Sequence, residues 1–406
     1  MLPKVQDRKK VNGFVFLFAA TYMISYITRT NFGAIVSEMQ TETGISKQLL
    51  SMSLTGSFIT YGTGQVISGI LGDKISPKKL ISIGLFATVC MNLLIPLCTD
   101  PWQMLAVWSV NGFAQSFMWP PIVKIMTELL SEEDYKNGVS KVSWGGSCGT
   151  IAVYLLSPVL ISLFSWRAVF FFAAAMGLLM IFAWNWFAPN VQPKPRQKVQ
   201  TTKTGRSFFG PVLLGLLLAI VLQGMLRDGV TTWMPTYISE VYQLRNEISI
   251  LSGVILPIFS ILCTQAATKL YTKRFQNPIS CGGVFFAAGA VAALVLRFSA
   301  GHFAGVSILM FAILTGCMHG ANLMLVCMVP AYFKNTGKVG TVSGVLNAAT
   351  YVGSAAFTYG VAVLSDALGW DATILIWLGI AAAGTAICLV CSSFWNKYKT
   401  TLEFDD

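Results

Sequence analysis

Charge is scarce in this chain. Lysine, arginine, aspartate and glutamate supply only 11% of its 406 residues, whereas 54% are hydrophobic, a balance that excludes a soluble domain with an ordinary polar exterior. Histidine is scarcer still, at two residues, and no cluster of His, Cys, Asp and Glu has metal-ligand spacing. A phosphate-cradling G-x-x-x-x-G-K loop is missing, as is a nucleophile with a base at suggestive spacing. These absences predict no metal, no cofactor and no catalytic residue. The chain is therefore not expected to be an enzyme, and transport driven by ATP bound to it is excluded. The short alternating strands of a membrane β-barrel are lacking as well. Long runs rich in Leu, Ala, Gly and Phe take their place, and a helix needs about twenty apolar residues to span a bilayer. The expected fold class is all-α and integral to the membrane.

The charge that is present totals +11, but it falls in short basic clusters between apolar runs. Membrane topology explains that placement and a nucleic-acid partner does not. The nine cysteines lie within or beside apolar runs, as small packing residues do, and imply no disulfide framework. Cys388 and Cys391 have C-x-x-C spacing, yet no strand pattern adjoins them to suggest a redox site. The N-terminus starts with Lys4, Arg8, Lys9 and Lys10 before an apolar run. That run is too long for a signal peptide and lacks a clear cleavage site, so it is expected to be the first spanning helix.

Twelve spanning segments are expected, near 11–38, 50–72, 79–97, 102–126, 139–163, 167–188, 209–238, 248–270, 279–297, 304–330, 339–364 and 371–394. The long polar connection after segment six carries Lys194, Arg196, Lys198, Lys203 and Arg206 among prolines, the composition of a flexible basic linker. The predicted domains are thus an N-terminal six-helix bundle (1–188), a cytoplasmic linker (189–208) and a C-terminal six-helix bundle (209–406). With the N-terminus inside, only Lys47, Arg167, Arg245 and Arg297 fall outside the cell. Apart from two arginines within the membrane, the rest of the 28 basic residues are cytoplasmic, which favours both termini in the cytoplasm.

Those two arginines organise the chain. Arg29 lies about eighteen residues into the first apolar segment and Arg227 equally deep in the seventh, 198 positions later. A guanidinium near the bilayer centre costs roughly 3 kcal/mol on insertion scales, so it is expected to face a cavity, a partner or an anionic ligand. The halves echo each other elsewhere. Phe164-Ser-Trp-Arg-Ala-Val-Phe precedes segment six and Leu368-Gly-Trp-Asp-Ala-Thr-Ile precedes segment twelve, 204 positions on, and Gly112 and Gly316 share that offset. Internal duplication of this kind marks transporters whose halves rock about a midplane site. Two pseudo-symmetric bundles, each lending one cation to a shared central site, are therefore predicted.

Gly69-Ile-Leu-Gly72-Asp73-Lys74-Ile-Ser-Pro-Lys78-Lys79 resembles the loop between helices two and three of the major facilitator superfamily, G-x-x-x-D-R/K with basic residues after it. Its glycines would permit close helix approach, and Asp73 would engage and release a helix end during rocking. Within that superfamily nearly the whole chain is similar to the organophosphate:phosphate antiporters, the glycerol-3-phosphate and hexose-6-phosphate carriers. The residues that carry this likeness are Tyr22, Tyr26, Arg29, Asn31, Phe32, Tyr61, Gly62, Trp119-Pro120-Pro121 and Trp144 in the first half. In the second they are Leu226-Arg227, Trp233, Pro235-Thr-Tyr237, Tyr351 and Gly353. The resemblance implies that Arg29 and Arg227 bind a phosphoryl group and that tyrosines and tryptophans line the path. Departures are equally specific. Family lysines are replaced by Thr30 and Gln65, a histidine by Cys148, an aromatic by Gly224 and a tyrosine by His319, so the family's known sugar and glycerol phosphates are not assumed.

A phosphate monoester offers about 1.5 to 2 negative charges and three acceptor oxygens, which forked guanidiniums grip bidentately. Tyr22, Tyr26 and Arg29 follow i, i+4, i+7 spacing and share a helix face. The candidate substrate-binding residues are Arg29, Arg227, Tyr22, Tyr26, Tyr61, Gln65, Trp119, Trp144, His319 and Tyr351, with Gly69, Gly72, Asp73 and Lys74 as a gating loop. Asp228 follows Arg227 directly. Adjacent helical residues diverge by about 100°, so the two need not pair. Asp228 is open to an ion pair or helix contact, to charge balance, or to proton coupling. Asn111, Gln115, Gln223, Asn322 and Asn347 fit either a cavity wall or bonds across helices. The expected function is exchange of an organic phosphate or related anion for inorganic phosphate by alternating access, in a monomer of the inner membrane. The alternatives are a proton-coupled carboxylate symporter and a non-transporting receptor. The expected partners are a small anionic substrate and the lipid bilayer.

Overall fold

The structure is a computed structural model that describes residue 4 and residues 6–71, 75–191, 210–333 and 339–403. Helices α1 (Arg8–Ala34), α2 (Val36–Thr43), α3 (Lys47–Leu71), α4 (Pro77–Leu94), α5 (Pro101–Gln115), α6 (Trp119–Leu129), α7 (Glu132–Leu163) and α8 (Trp166–Phe187) come first. Then follow α9 (Pro211–Tyr242), α10 (Asn246–Ser252), α11 (Ile255–Leu270), α12 (Pro278–Ser299), α13 (Ala304–Asn322) and α14 (Val339–Glu403). Local sequence sets where they start. Pro77, Pro101, Pro211 and Pro278 open their helices, where a fixed φ helps and a missing N–H costs no bond. Asp100 and Asn277 cap theirs, accepting from the backbone N–H groups of Trp102 at 2.7 Å and Ile279 at 2.9 Å.

Among the described residues nine helical stretches are long and apolar enough to cross a bilayer. One of them, Val342–Trp395, holds two crossings that meet at Gly369, whose φ of 78° lies outside any helix. The two other expected crossings are helical too. They are α3, diluted by serine, threonine and glycine, and the α5–α6 pair.

Three expected segments differ in outline. Segment 102–126 is broken at residues 116–118, because Pro120 and Pro121 in the first turn of α6 have no N–H with which to continue α5. Segment 248–270 is broken at Gly253 and Val254, between α10 and α11. The first crossing stops at Ala34 rather than near residue 38, where Ile35 leaves the helical region at φ −117°.

Contacts divide the chain into two compact units, Met1–Arg196 with Arg245–Val254, and Gln197–Leu244 with Ile255–Asp406. In the first, α1 lies against α7 and α8, α3 against α5, and α4 against α8 and α5. In the second, α9 lies against α14 and α13, α11 against α13, and α12 against α13 and α14. Lipid tails are as apolar as leucine, so these contacts depend on close packing at small residues. Gly149 of α7 sits on the Met23 carbonyl of α1, and Gly353 of α14 sits on the Val221 carbonyl of α9, each so near that a Cβ would overlap the carbonyl. The glycines are 204 positions apart and the carbonyls 198. The duplication read from the sequence is thus repeated in the packing.

Candidate functional site

Arg29 follows Met23 by six residues, and Arg227 follows Val221 by six. Each arginine therefore leaves its helix six residues past the carbonyl on which a glycine is seated. In the first unit the Arg29 guanidinium carbon lies 4.3 Å from the ring centroid of Tyr26 and 4.8 Å from that of Tyr61 on α3, within cation–π range. Tyr22 stands 5.1 Å from Tyr26 and 4.9 Å from Trp119, centroid to centroid. Gly146 of α7 leaves the room, since a Cβ there would come within 2.9 Å of the Tyr26 ring. The i, i+4, i+7 face is thus formed as expected, and the break before α6 places Trp119 beside it. Gln65 is half-buried one turn beyond Tyr61. Trp144 is 50% exposed on α7, with the exposed Cys148 one turn away.

The other side of α1 is held by a polar network. Asn92 and Asn111 both donate to the Thr28 carbonyl, at 3.0 and 3.1 Å, and Gln115 donates to the Thr28 hydroxyl at 2.9 Å. Ser25 donates to Gln115 at 2.8 Å, and Asn31 to Asn92 at 2.8 Å. Asn111 and Gln115 therefore bond across helices rather than line a cavity. Their effect is to anchor the backbone immediately before Arg29 to α4 and α5.

In the second unit the arginine has a carboxylate. Arg227 Nε donates to Asp228 Oδ1 at 2.8 Å and Nη2 donates to Oδ2 at 2.7 Å. The neighbours do pair: the long Arg227 side chain folds back onto the short Asp228 carboxylate despite diverging Cβ directions. Asp228 Oδ2 also accepts from Ser354 Oγ of α14 at 2.5 Å. The Arg227 guanidinium carbon lies 5.7 Å from the Tyr351 ring centroid, and His319 of α13 is close enough to interact with both charges. Beneath them Gln223 donates to the Met318 carbonyl at 3.0 Å, and Asn322 donates to Gln223 Oε1 at 3.3 Å, so these amides too bond across helices. Ser354 had escaped notice in the sequence. Its only signal is its place, next to Gly353 and three residues after Tyr351.

Of the gating loop, Gly72, Asp73 and Lys74 lie outside the described residues. At Gly69 an added Cβ would meet no described atom within 4 Å. Just past the loop, Lys78 Nζ donates to the Ala188 carbonyl at 2.8 Å, placing a cation on the negative C-terminal end of α8.

Residues 18–358 match the sequence pattern of the Major Facilitator Superfamily. The chain belongs to the Major Facilitator Superfamily. Among its relatives is the glycerol-3-phosphate transporter of Bacillus subtilis, 25% identical over 397 residues that cover 90% of this chain and 88% of that one. A probable hexose phosphate transport protein of Chlamydia trachomatis is 26% identical over 161 residues, 40% of this chain and 35% of the relative. The membrane sensor protein UhpC of Salmonella typhimurium is 25% identical over 166 residues, 40% of this chain and 38% of the relative. These similarities match the organophosphate:phosphate antiporter family within the superfamily. A solved bacterial homologue of the human lysosomal transporter Spinster superposes with a TM-score of 0.74 at 14% identity, over 98% of both chains, and so shares the fold. This Major Facilitator protein is a multi-pass membrane transporter, not an enzyme.

Proposed function

We propose that the protein moves an organic phosphate or a related organic anion across the cytoplasmic membrane by alternating access, in exchange for inorganic phosphate. The observation that carries this is the matched pair of deep arginines, each six residues past a glycine-seated carbonyl of its own helix. A costly cation recurs at the same offset within both halves, and an anion shared between halves is the simplest use for two of them. In this scheme residues 1–188 and 209–406 are the rocking halves, 189–208 joins them, and both termini are cytoplasmic. Arg29 and Arg227 grip the phosphoryl oxygens; Tyr22, Tyr26, Tyr61, Gln65, Trp119, Trp144, His319 and Tyr351 line the path; Gly69, Gly72, Asp73 and Lys74 form the gate.

Exchange follows from charge. An empty site would have to close around two guanidiniums with no substrate anion between them, and burying charge away from water is expensive. A bound anion lowers that cost only when present, which couples reorientation to occupancy.

The test is uptake into liposomes loaded with phosphate. Stimulation of phosphate exchange by an organophosphate is expected; its absence across a panel of phosphates, phosphonates and carboxylates would sink the proposal. Uptake that needs a proton gradient and no internal phosphate would instead favour symport through Asp228 or His319. The likeness to a sensor motivates a third outcome, binding without flux, which would make the protein a receptor.

A further inference from the structure

The Asp228 carboxylate accepts three hydrogen bonds. Two come from Arg227, the cation assigned to substrate, and the third comes from Ser354 on another helix. The Ser354 hydroxyl has other acceptors in reach, the carbonyls of Thr350 at 3.0 Å and Gly224 at 3.3 Å, so packing alone does not require it to point at Asp228. Helices α9 and α14 approach this closely because Gly224 and Gly353 have no Cβ to collide with the opposing backbone. Among the described residues the titratable or charged groups that act on the carboxylate are Arg227 on α9 and His319 on α13, with Tyr351 of α14 and Cys327 near Arg227.

An anion that takes the Arg227 fork competes with Asp228 for the same N–H groups. The displaced carboxylate then needs another donor, since a buried carboxylate without one is costly. Building on anion transport as set out above, we propose that Ser354 is a positioning residue for substrate. It holds Asp228 as a displaceable counter-ion of Arg227, and it keeps one hydrogen bond on the carboxylate once substrate has taken the guanidinium. Ser354 thereby sets how easily an anion enters the second half of the site. Without the hydroxyl, uptake of a proton becomes the remaining way to stabilise the released carboxylate.

The experiment uses the full-length protein in detergent, with inorganic phosphate as the probe and ligand-induced thermal shift as the readout. It runs from about pH 6 to about pH 8, across the second ionisation of a phosphate. Taking each variant as a ratio to wild type removes the titration of the probe itself. Ser354→Ala should weaken phosphate binding about tenfold at the alkaline end, because the released carboxylate is then left with no donor whereas in the empty site it keeps the two from Arg227, and by progressively less toward the acidic end. In an Asp228→Asn background Ser354→Ala should change nothing, because the hydroxyl acts through the carboxylate. Weakening that is equal at every pH, or that persists in the Asp228→Asn background, makes Ser354 structural and overturns the proposal; so does no weakening at all. A wild-type protein that phosphate does not shift overturns anion binding itself, an outcome seen before any variant is made.

Discussion

Arg29→Lys separates charge from geometry. Lysine keeps the positive charge and can still rest against the rings of Tyr26 and Tyr61, which lie 4.3 and 4.8 Å from the present guanidinium carbon. Those ring contacts are worth about 0.5 to 2 kcal/mol each and suit an ammonium as well, so the variant should fold. What lysine cannot supply is the planar fork that places two parallel N–H groups on two phosphoryl oxygens. Losing one charge-assisted bond of that pair costs about 1.5 to 3 kcal/mol, roughly a 10- to 150-fold rise in apparent substrate dissociation constant at about 1.4 kcal/mol per tenfold. Phosphate exchange in liposomes measures it, with a melting curve of the unliganded protein as the folding control. If Arg29→Lys exchanges phosphate within about threefold of wild type, under 1 kcal/mol, the fork is not in use. The arginine would then serve the general field or the packing of α1.

Arg227→Lys should be the more damaging of the two arginine variants, because one ammonium cannot keep both bonds to Asp228; equal effects in exchange assays would argue against the ion pair. Asp228→Asn removes the internal counter-ion, so dianionic phosphates should bind better than in wild type while return of the empty carrier slows, and unchanged affinity with unchanged exchange rates would place Asp228 outside the site. Gly353→Ala would drive a Cβ into the Val221 carbonyl and should cost about 1 to 3 kcal/mol of stability by overpacking, read as a lowered melting temperature; an unshifted melt would refute the glycine-seated crossing. At Glu38 of α2, burial raises the carboxyl above the ordinary carboxylate range, the bond from Asn246 draws it back, and Glu42 and Glu247 raise it further. A raised acid makes the folded state hold its proton longer, so its penalty is full above the raised value and fades as pH falls through it toward the ordinary one. Glu38→Gln keeps an oxygen for Asn246 Nδ2, now 2.7 Å from Glu38 Oε2, and should melt slightly higher than wild type at neutral pH, with the gap closing on acidification; a lower melt would mean the charge itself is needed.

Hydropathy, proline placement and the repeat offsets were enough to define the helical membrane fold, the internal duplication and the two deep arginines, because each depends on a local property of a continuous segment. The Tyr22, Tyr26 and Arg29 face was legible for the same reason, as helical spacing alone aligns it. Contacts between helices were not. Nothing in the sequence says that Tyr61 reaches Arg29, that Asn92, Asn111 and Gln115 converge on Thr28 rather than on a cavity, or that Ser354 meets a carboxylate 126 positions earlier. Even the pairing of adjacent Arg227 and Asp228 required the tertiary structure, since Cβ directions separate them while flexible side chains and the neighbouring α14 bring them together. Local sequence chooses the helix and the face, but the partner of a buried polar group is whichever complementary group close packing delivers to it.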